Sequence, residues 1–187
     1  MNANTWTIDG THSQVEFAVK HMMFTTVRGR FDDFEGTVVL SPNAPERSSV
    51  AVEIKTGSID TQVDARDQHL RSADFFDVEK YPTITFRSRR VEGDLSEPGN
   101  AFTIVGDLTL HGVTREVVLN ATFDGTGSDP WGNTRAGFSA ETTIDRRDFG
   151  LTWNQGLETG GVLVGQDVKI QLAVQAVKEQ ALEVAAD

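Results

Sequence analysis

The sequence predicts an all-β fold: about eight antiparallel strands forming a closed barrel or a sandwich, the barrel being favoured because closure removes exposed edges, with a short helix covering one end. Three observations predict it. Apolar residues recur at every second position along most of the chain, turn-forming clusters separate these runs, and one charged stretch lacks the alternation. Period two puts one apolar and one mostly polar face on each run. A sheet with a wet face is antiparallel, because parallel sheets are covered on both sides.

The elements follow in order. Trp6 to Ile8 form a short leading strand. Val15, Phe17, Val19 and His21 then alternate with Glu16, Ala18 and Lys20, and Phe34, Gly36, Val38 and Leu40 alternate with Glu35, Thr37 and Val39. Ser41-Pro42-Asn43-Ala44-Pro45 cannot continue a strand. Val50, Val52 and Ile54 carry the next one. Residues 63–74 are charged and suit a helix, with Asp64 and Asp67 near its start and Arg71 near its end complementing the helix dipole. Asp67 and Arg71 are spaced to pair.

Strand periodicity resumes at Ile84, Phe86 and Ser88, and again at Phe102, Ile104, Gly106, Leu108 and Leu110. His111-Gly112-Val113-Thr114 is short enough for a tight hairpin. Val117, Leu119, Ala121 and Phe123 follow, then a Gly-rich connection over 124–133. Ala136, Phe138, Ala140, Thr142 and Ile144 form one more strand, and Val168, Ile170, Leu172 and Val174 close the series. Ala176 to Asp187 reads as a frayed helix or tail. No composition shift or repeat divides the chain, so 1–187 is expected to be one domain.

Charge and composition narrow the function. A net charge of −11 argues against nucleic-acid binding and against docking on anionic lipid through a basic patch. Cysteine is absent, which excludes disulfides and thiol nucleophiles. No run reaches the length of a membrane helix. MNANTWTIDG has neither a basic nor an apolar signal region, so a cytoplasmic location is expected, or a periplasmic or secreted one if a signal was removed.

Small residues fall on the apolar faces beside large ones: Gly36, Gly106, Ala121, Ala136 and Ala140 accompany Phe17, Phe86, Phe102, Phe123 and Phe138. Periodicity alone leaves two readings of this pattern. Large and small residues can interdigitate in a solid core, or they can leave a bore for one ligand.

A longer set of residues resembles the YceI-like family of polyisoprenoid-binding proteins. The match begins with Trp6-Thr7-Ile8-Asp9, His12-Ser13 and Val19-Lys20-His21-Met22, and continues through Gly29-Arg30-Phe31 and Ser58-Ile59-Asp60-Thr61. Its most specific stretch is Arg66-Asp67-Gln68-His69-Leu70 with Phe75-Phe76-Asp77 and Tyr81-Pro82-Thr83-Ile84-Thr85-Phe86. Gly106 to Arg115 and Arg147-Asp148-Phe149-Gly150-Leu151 complete it. The resemblance implies a lipocalin-like extended barrel. It also implies an isoprenoid or prenyl-quinone-type lipid along the pore, bound for storage, carriage or protection without catalysis or cofactor. A homodimer is compatible with it.

The candidate ligand-binding residues are Phe17, Val19, His21 and Met22 from the first long strand and its end, with Phe34 and Gly36 from the next. Phe75 and Phe76 are a plug or a wall, and Phe86, Ile104, Gly106 and Leu108 follow them. Phe138, Ala140 and Phe149 complete the set. His12, His21, His69 and His111 lack zinc-motif spacing, and no Ser lies in a G-x-S-x-G context. An enzyme, an isomerase or hydrolase acting on an apolar substrate in the same cavity, is the alternative. It would need a buried acid or His converging on the pore.

Overall fold

The computed structural model describes residues 5–158 and 160–179. Eleven strands form one antiparallel sheet: β1 (Thr5–Ile8), β2 (Gln14–His21), β3 (Thr25–Phe31), β4 (Phe34–Val39), β5 (Ser49–Lys55), β6 (Ile59–Asp60), β7 (Thr83–Gly93), β8 (Ala101–Leu110), β9 (Val113–Ser128), β10 (Thr134–Asp145) and β11 (Val164–Lys178). One α-helix, α1 (Asp64–Arg71), stands between β6 and β7.

Register reduces these strands to eight staves. β11 pairs with β2 through Val164↔His21 to Ala173↔Gln14, and then with β1 through Ile8↔Ala176 to Trp6↔Lys178. β1 and β2 are therefore one stave, interrupted by the short turn of helix at Gly10–His12. β3 and β4 likewise follow β2 and β1, broken at Asp32-Asp33. β5 and β6 form a third broken stave around Thr56–Ser58. The β1–β11 pairing completes the ring, so the sheet is a closed eight-stranded antiparallel barrel. Closure leaves few unpaired edges to aggregate. The interruptions sit where local bending helps long strands curve around the barrel.

Two details differ from the sequence reading. β11 extends to Lys178, and Ala176, expected at the start of a tail, is fully buried opposite Ile8. The rest of the expected tail, residues 180–187, lies outside the described residues. Asp67 does not pair with Arg71. Its carboxylate, in a side chain only 5% exposed, instead accepts from the Thr61 backbone N–H at 2.9 Å and from the Thr61 hydroxyl. Arg71 donates to the carbonyls of Gly57 and Ile59 at 2.9 and 2.7 Å. These bonds tie the helix to β6 and to the residues on either side of it.

Candidate functional site

The barrel interior is hollow. A cavity of about 260 Å³ runs between its two ends. At the α1 end it is bounded by Leu70, Phe75, Phe76, Leu110 and Leu151, and at the other end by Leu40, Leu95 and Phe102. Its flanks come from alternate residues of the staves, including Phe17, Val19, Phe34, Ile54, Phe86, Leu108, Leu119 and Leu172. Phe17, Phe34, Ile104, Phe138, Ala140, Val168 and Ile170 all point inward, yet each is only partly buried. In a solid core these positions would be fully covered. Here their inner surfaces face open space.

Glycines in the wall help keep that space open. A Cβ on Gly106 would lie 2.5 Å from the Arg87 carbonyl oxygen and 2.6 and 2.8 Å from Cζ and Cε2 of Phe86, so the Phe86 ring occupies the space over Gly106. Gly29 stands opposite Phe17 in the β2–β3 register, and a Cβ there would overlap the Phe17 ring. Each ring occupies room that a side chain would have taken from the wall, rather than room in the bore.

Ten of the candidate residues line the cavity: Phe17, Val19, Phe34, Phe75, Phe76, Phe86, Ile104, Leu108, Phe138 and Ala140. Phe75, 7% exposed, and Phe76 are walls of the α1 end. Five stand off it. Gly36 and Gly106 are covered by Ile8 and Phe86, which present their own side chains instead. Phe149 is 2% exposed, packed in the core behind the lining, and its carbonyl lies 3.2 Å from His111 Nδ1. His21 ends β2 opposite Thr25, outside the lining. Met22 is on the tip beyond it, 38% exposed.

Phe31, Leu40, Leu70, Leu95, Val168, Ile170 and Leu172 also line the cavity and were not among the candidates. The β11 residues were legible as an inward face. Leu95 sits outside the strand periodicity and gave no signal.

Of the charged groups at the bore, Arg146 is engaged by backbone carbonyls, whereas Glu16 is exposed. Glu16 and Arg146 are the ionisable residues of the lining. Arg146 is 4% exposed, and its guanidinium donates to the carbonyls of Gly165 at 2.8 Å and Leu151 at 2.5 Å. Burial pushes its pKa down, although a guanidinium remains charged at neutral pH. These bonds tie the crossing between β10 and β11 to the barrel wall. His69 Nε2 lies 2.8 Å from Asp74 Oδ2, and the His69 ring sits edge-on to Phe75 and Trp153. His12 Nδ1 lies 2.9 Å from Asp9. Among the described residues, no cluster of three or more His, Cys, Asp or Glu side chains could hold a metal ion. No described helix is long and apolar enough to cross a membrane.

Comparison with known proteins places this architecture. The YceI-like domain matches residues 6–176. The chain is similar to a UPF0312 protein of Pectobacterium atrosepticum, 42% identical over 172 residues, covering 92% of this chain and 84% of the relative. It is also similar to a UPF0312 protein of Pseudomonas aeruginosa, 39% identical over 171 residues, covering 91% and 84%. Among solved structures, a Campylobacter jejuni YCEI protein is 31% identical with a TM-score of 0.72, over 86% of this chain and 90% of that one. A polyisoprenoid-binding domain from Saccharophagus degradans shares the fold at 17% identity, with a TM-score of 0.70 over 95% and 100% of the two chains. From its hollow barrel, its helix-covered end and the match over nearly its whole length, this chain belongs to the YceI-like domain family.

Proposed function

We propose that the barrel binds a long apolar lipid of the isoprenoid or prenyl-quinone type along its bore, storing, carrying or protecting it without altering it. The observation that carries this reading is the continuous apolar lining of an unfilled interior. Such a wall offers a ligand width, length and dispersion contacts, and few hydrogen bonds. The polyisoprenoid-binding activity named for the Saccharophagus degradans domain supports the lipid class.

Transfer energetics favour a long chain. Each buried methylene contributes ~0.8 kcal/mol, so a five-carbon prenyl unit contributes at most about 4 kcal/mol. Association opposes this with about 4–15 kcal/mol of lost freedom. Several units must therefore be enclosed before binding becomes useful, and a bore that runs between the barrel ends suits that requirement. Catalysis is not favoured, because the four histidines all lie off the lining and Arg146 spends its donors on backbone carbonyls.

Native mass spectrometry and organic extraction of the protein from a bacterial host test the proposal. The expected result is a co-purifying lipid of repeating five-carbon mass. A140W fills the bore opposite Leu172 and is expected to fold and to emerge empty. A wild-type protein that stays empty when offered prenyl lipids would sink the reading.

A further inference from the structure

Net charge conceals a local exception at the α1 end of the barrel. Between Phe17 and Phe31 the β2–β3 hairpin carries Lys20, Arg28 and Arg30 and no carboxylate, in a chain of net charge −11. Arg30 is neutralised by Asp32 and Asp60. Lys20 and Arg28 are exposed on the same outer face, and among the described residues neither forms an ion pair.

The tip of this hairpin is apolar and projecting. Met22, Met23 and Phe24 are 38%, 60% and 70% exposed. Met22 and Met23 also hold φ of 52° and 71°, a region that normally selects Gly or Asn. Two bulky apolar side chains are thus kept in strained backbone positions while exposed to water. The backbone is anchored beneath them, with Met22 N–H donating to the Leu163 carbonyl at 2.8 Å. Val63, 47% exposed, follows β6, which runs toward the same end. The other strongly exposed aromatic, Trp131, stands at the opposite end of the barrel, in the β9–β10 connection.

We infer that the Met22-Met23-Phe24 tip, flanked by Lys20 and Arg28, is a docking point for an anionic lipid bilayer. Apolar residues that enter the interface and flanking cations that stay at headgroup level match the two chemistries of that surface. A second copy of the chain is a poorer fit, because three tip side chains fall far short of the ~1,000 Å² that a specific protein interface buries. Whole-molecule repulsion is confined by screening to about 8–10 Å in physiological salt, so a projecting tip with its own positive charge can approach. The inference concerns where the protein docks, independently of what its bore carries.

Vesicle flotation with the full chain tests it, using phosphatidylcholine vesicles with and without a substantial fraction of phosphatidylglycerol. Bore filling is read separately with the apolar fluorophore N-phenyl-1-naphthylamine. The wild-type protein is expected to float with the anionic vesicles at about 0.1–0.15 M salt, where the repulsion of the whole molecule is screened, and to be released as salt rises further. M23S/F24S and K20Q/R28Q are each expected to weaken vesicle binding by about tenfold or more while leaving fluorophore binding unchanged. M22N/M23G relieves the strained turn and is expected to melt no lower than wild type, yet to bind vesicles less. Wild-type protein that ignores anionic vesicles, binds neutral ones equally well or matches M23S/F24S would overturn the inference. So would a change from dimer to monomer in M23S/F24S by light scattering, which would assign the tip to self-association.

Discussion

At the residue scale, the bore depends on where large rings are allowed to lie. Phe86 and Phe17 are inward-facing and could fill the barrel. They lie instead against Gly106 and Gly29, where the wall has no side chain. Gly106 is therefore not a lining residue waiting to be enlarged. It is the seat of a ring that does line the cavity. G106A places a methyl inside contact distance of both that ring and the Arg87 carbonyl, and is expected to push Phe86 into the bore and to shift the β7 backbone. The strain should cost about 1–3 kcal/mol in chemical denaturation. The same variant should lose uptake of apolar ligands, whereas a folded G106A with unchanged uptake would separate Gly106 from the width of the bore.

At the element scale, α1 and the turn after it form a tethered cover. Leu70, Phe75 and Phe76 face the cavity, and Asp67, Arg66 and Arg71 fix them from behind. Arg66 donates to the Thr61 hydroxyl and carbonyl at 2.7 and 2.8 Å, so Thr61 is the common anchor of helix and strand. D67A removes a buried acceptor and leaves the Thr61 N–H without its partner. About 3 kcal/mol of stability should be lost, and amide exchange should rise first in residues 61–77 rather than in the staves. Uniform exchange across the barrel would show instead that the cover and the staves open together.

Much of this scale was legible in sequence, because period two marks each inward face directly. The charged helix stood out by breaking that period. His111-Gly112 was readable as a tight hairpin because Gly suits the positive φ found there. Met22-Met23 carried no such signal, since its backbone is held by the barrel against local preference. The Asp67–Arg71 spacing misled for a related reason: buried backbone groups beside the helix compete for both side chains and outweigh a surface pair. Candidate residues placed by strand phase, such as Phe17, Phe86, Leu108 and Phe138, line the cavity. Gly36 and Gly106 share that phase yet stand off the lining, because a neighbour's side chain covers each glycine.

At the scale of the whole molecule, the barrel is a ring, and its seam is where the first and last strands pair. β1 and β11 close it, and Arg135 of β10 stands beside that closure. Its guanidinium donates to Asp9 at 2.6 Å, to Asp129 at 2.8 Å and to Gln175 of β11 at 2.6 Å, linking the β1 turn, the β9–β10 connection and β11. Hydrogen bonds from Thr11 and Arg135 hold the Asp9 carboxyl well below the usual carboxylate range. Asn133 and Arg135 do the same for Asp129. Bonds from Arg147 lower Asp145 to about 2.

Groups with depressed folded-state pKa values contribute stability that is present above the unfolded value, near 4, and is lost as pH falls through the folded value. Stability should therefore change little on this account between pH 7 and pH 5, and should fall steeply below about pH 4. R135Q removes the shared cation, so it should be less stable at pH 7 and should show a shallower decline in acid. Denaturant midpoints measured from pH 7 to pH 2 read both slopes. Amide exchange at pH 3 should then locate the first loss at β1 and the C-terminal half of β11, with release of any bound lipid following the opening of that seam. If wild type and R135Q lose stability in parallel, the seam carries no special share of the acid response, and closure must be held by the apolar packing of Trp6, Ala136 and Ala176 beneath it.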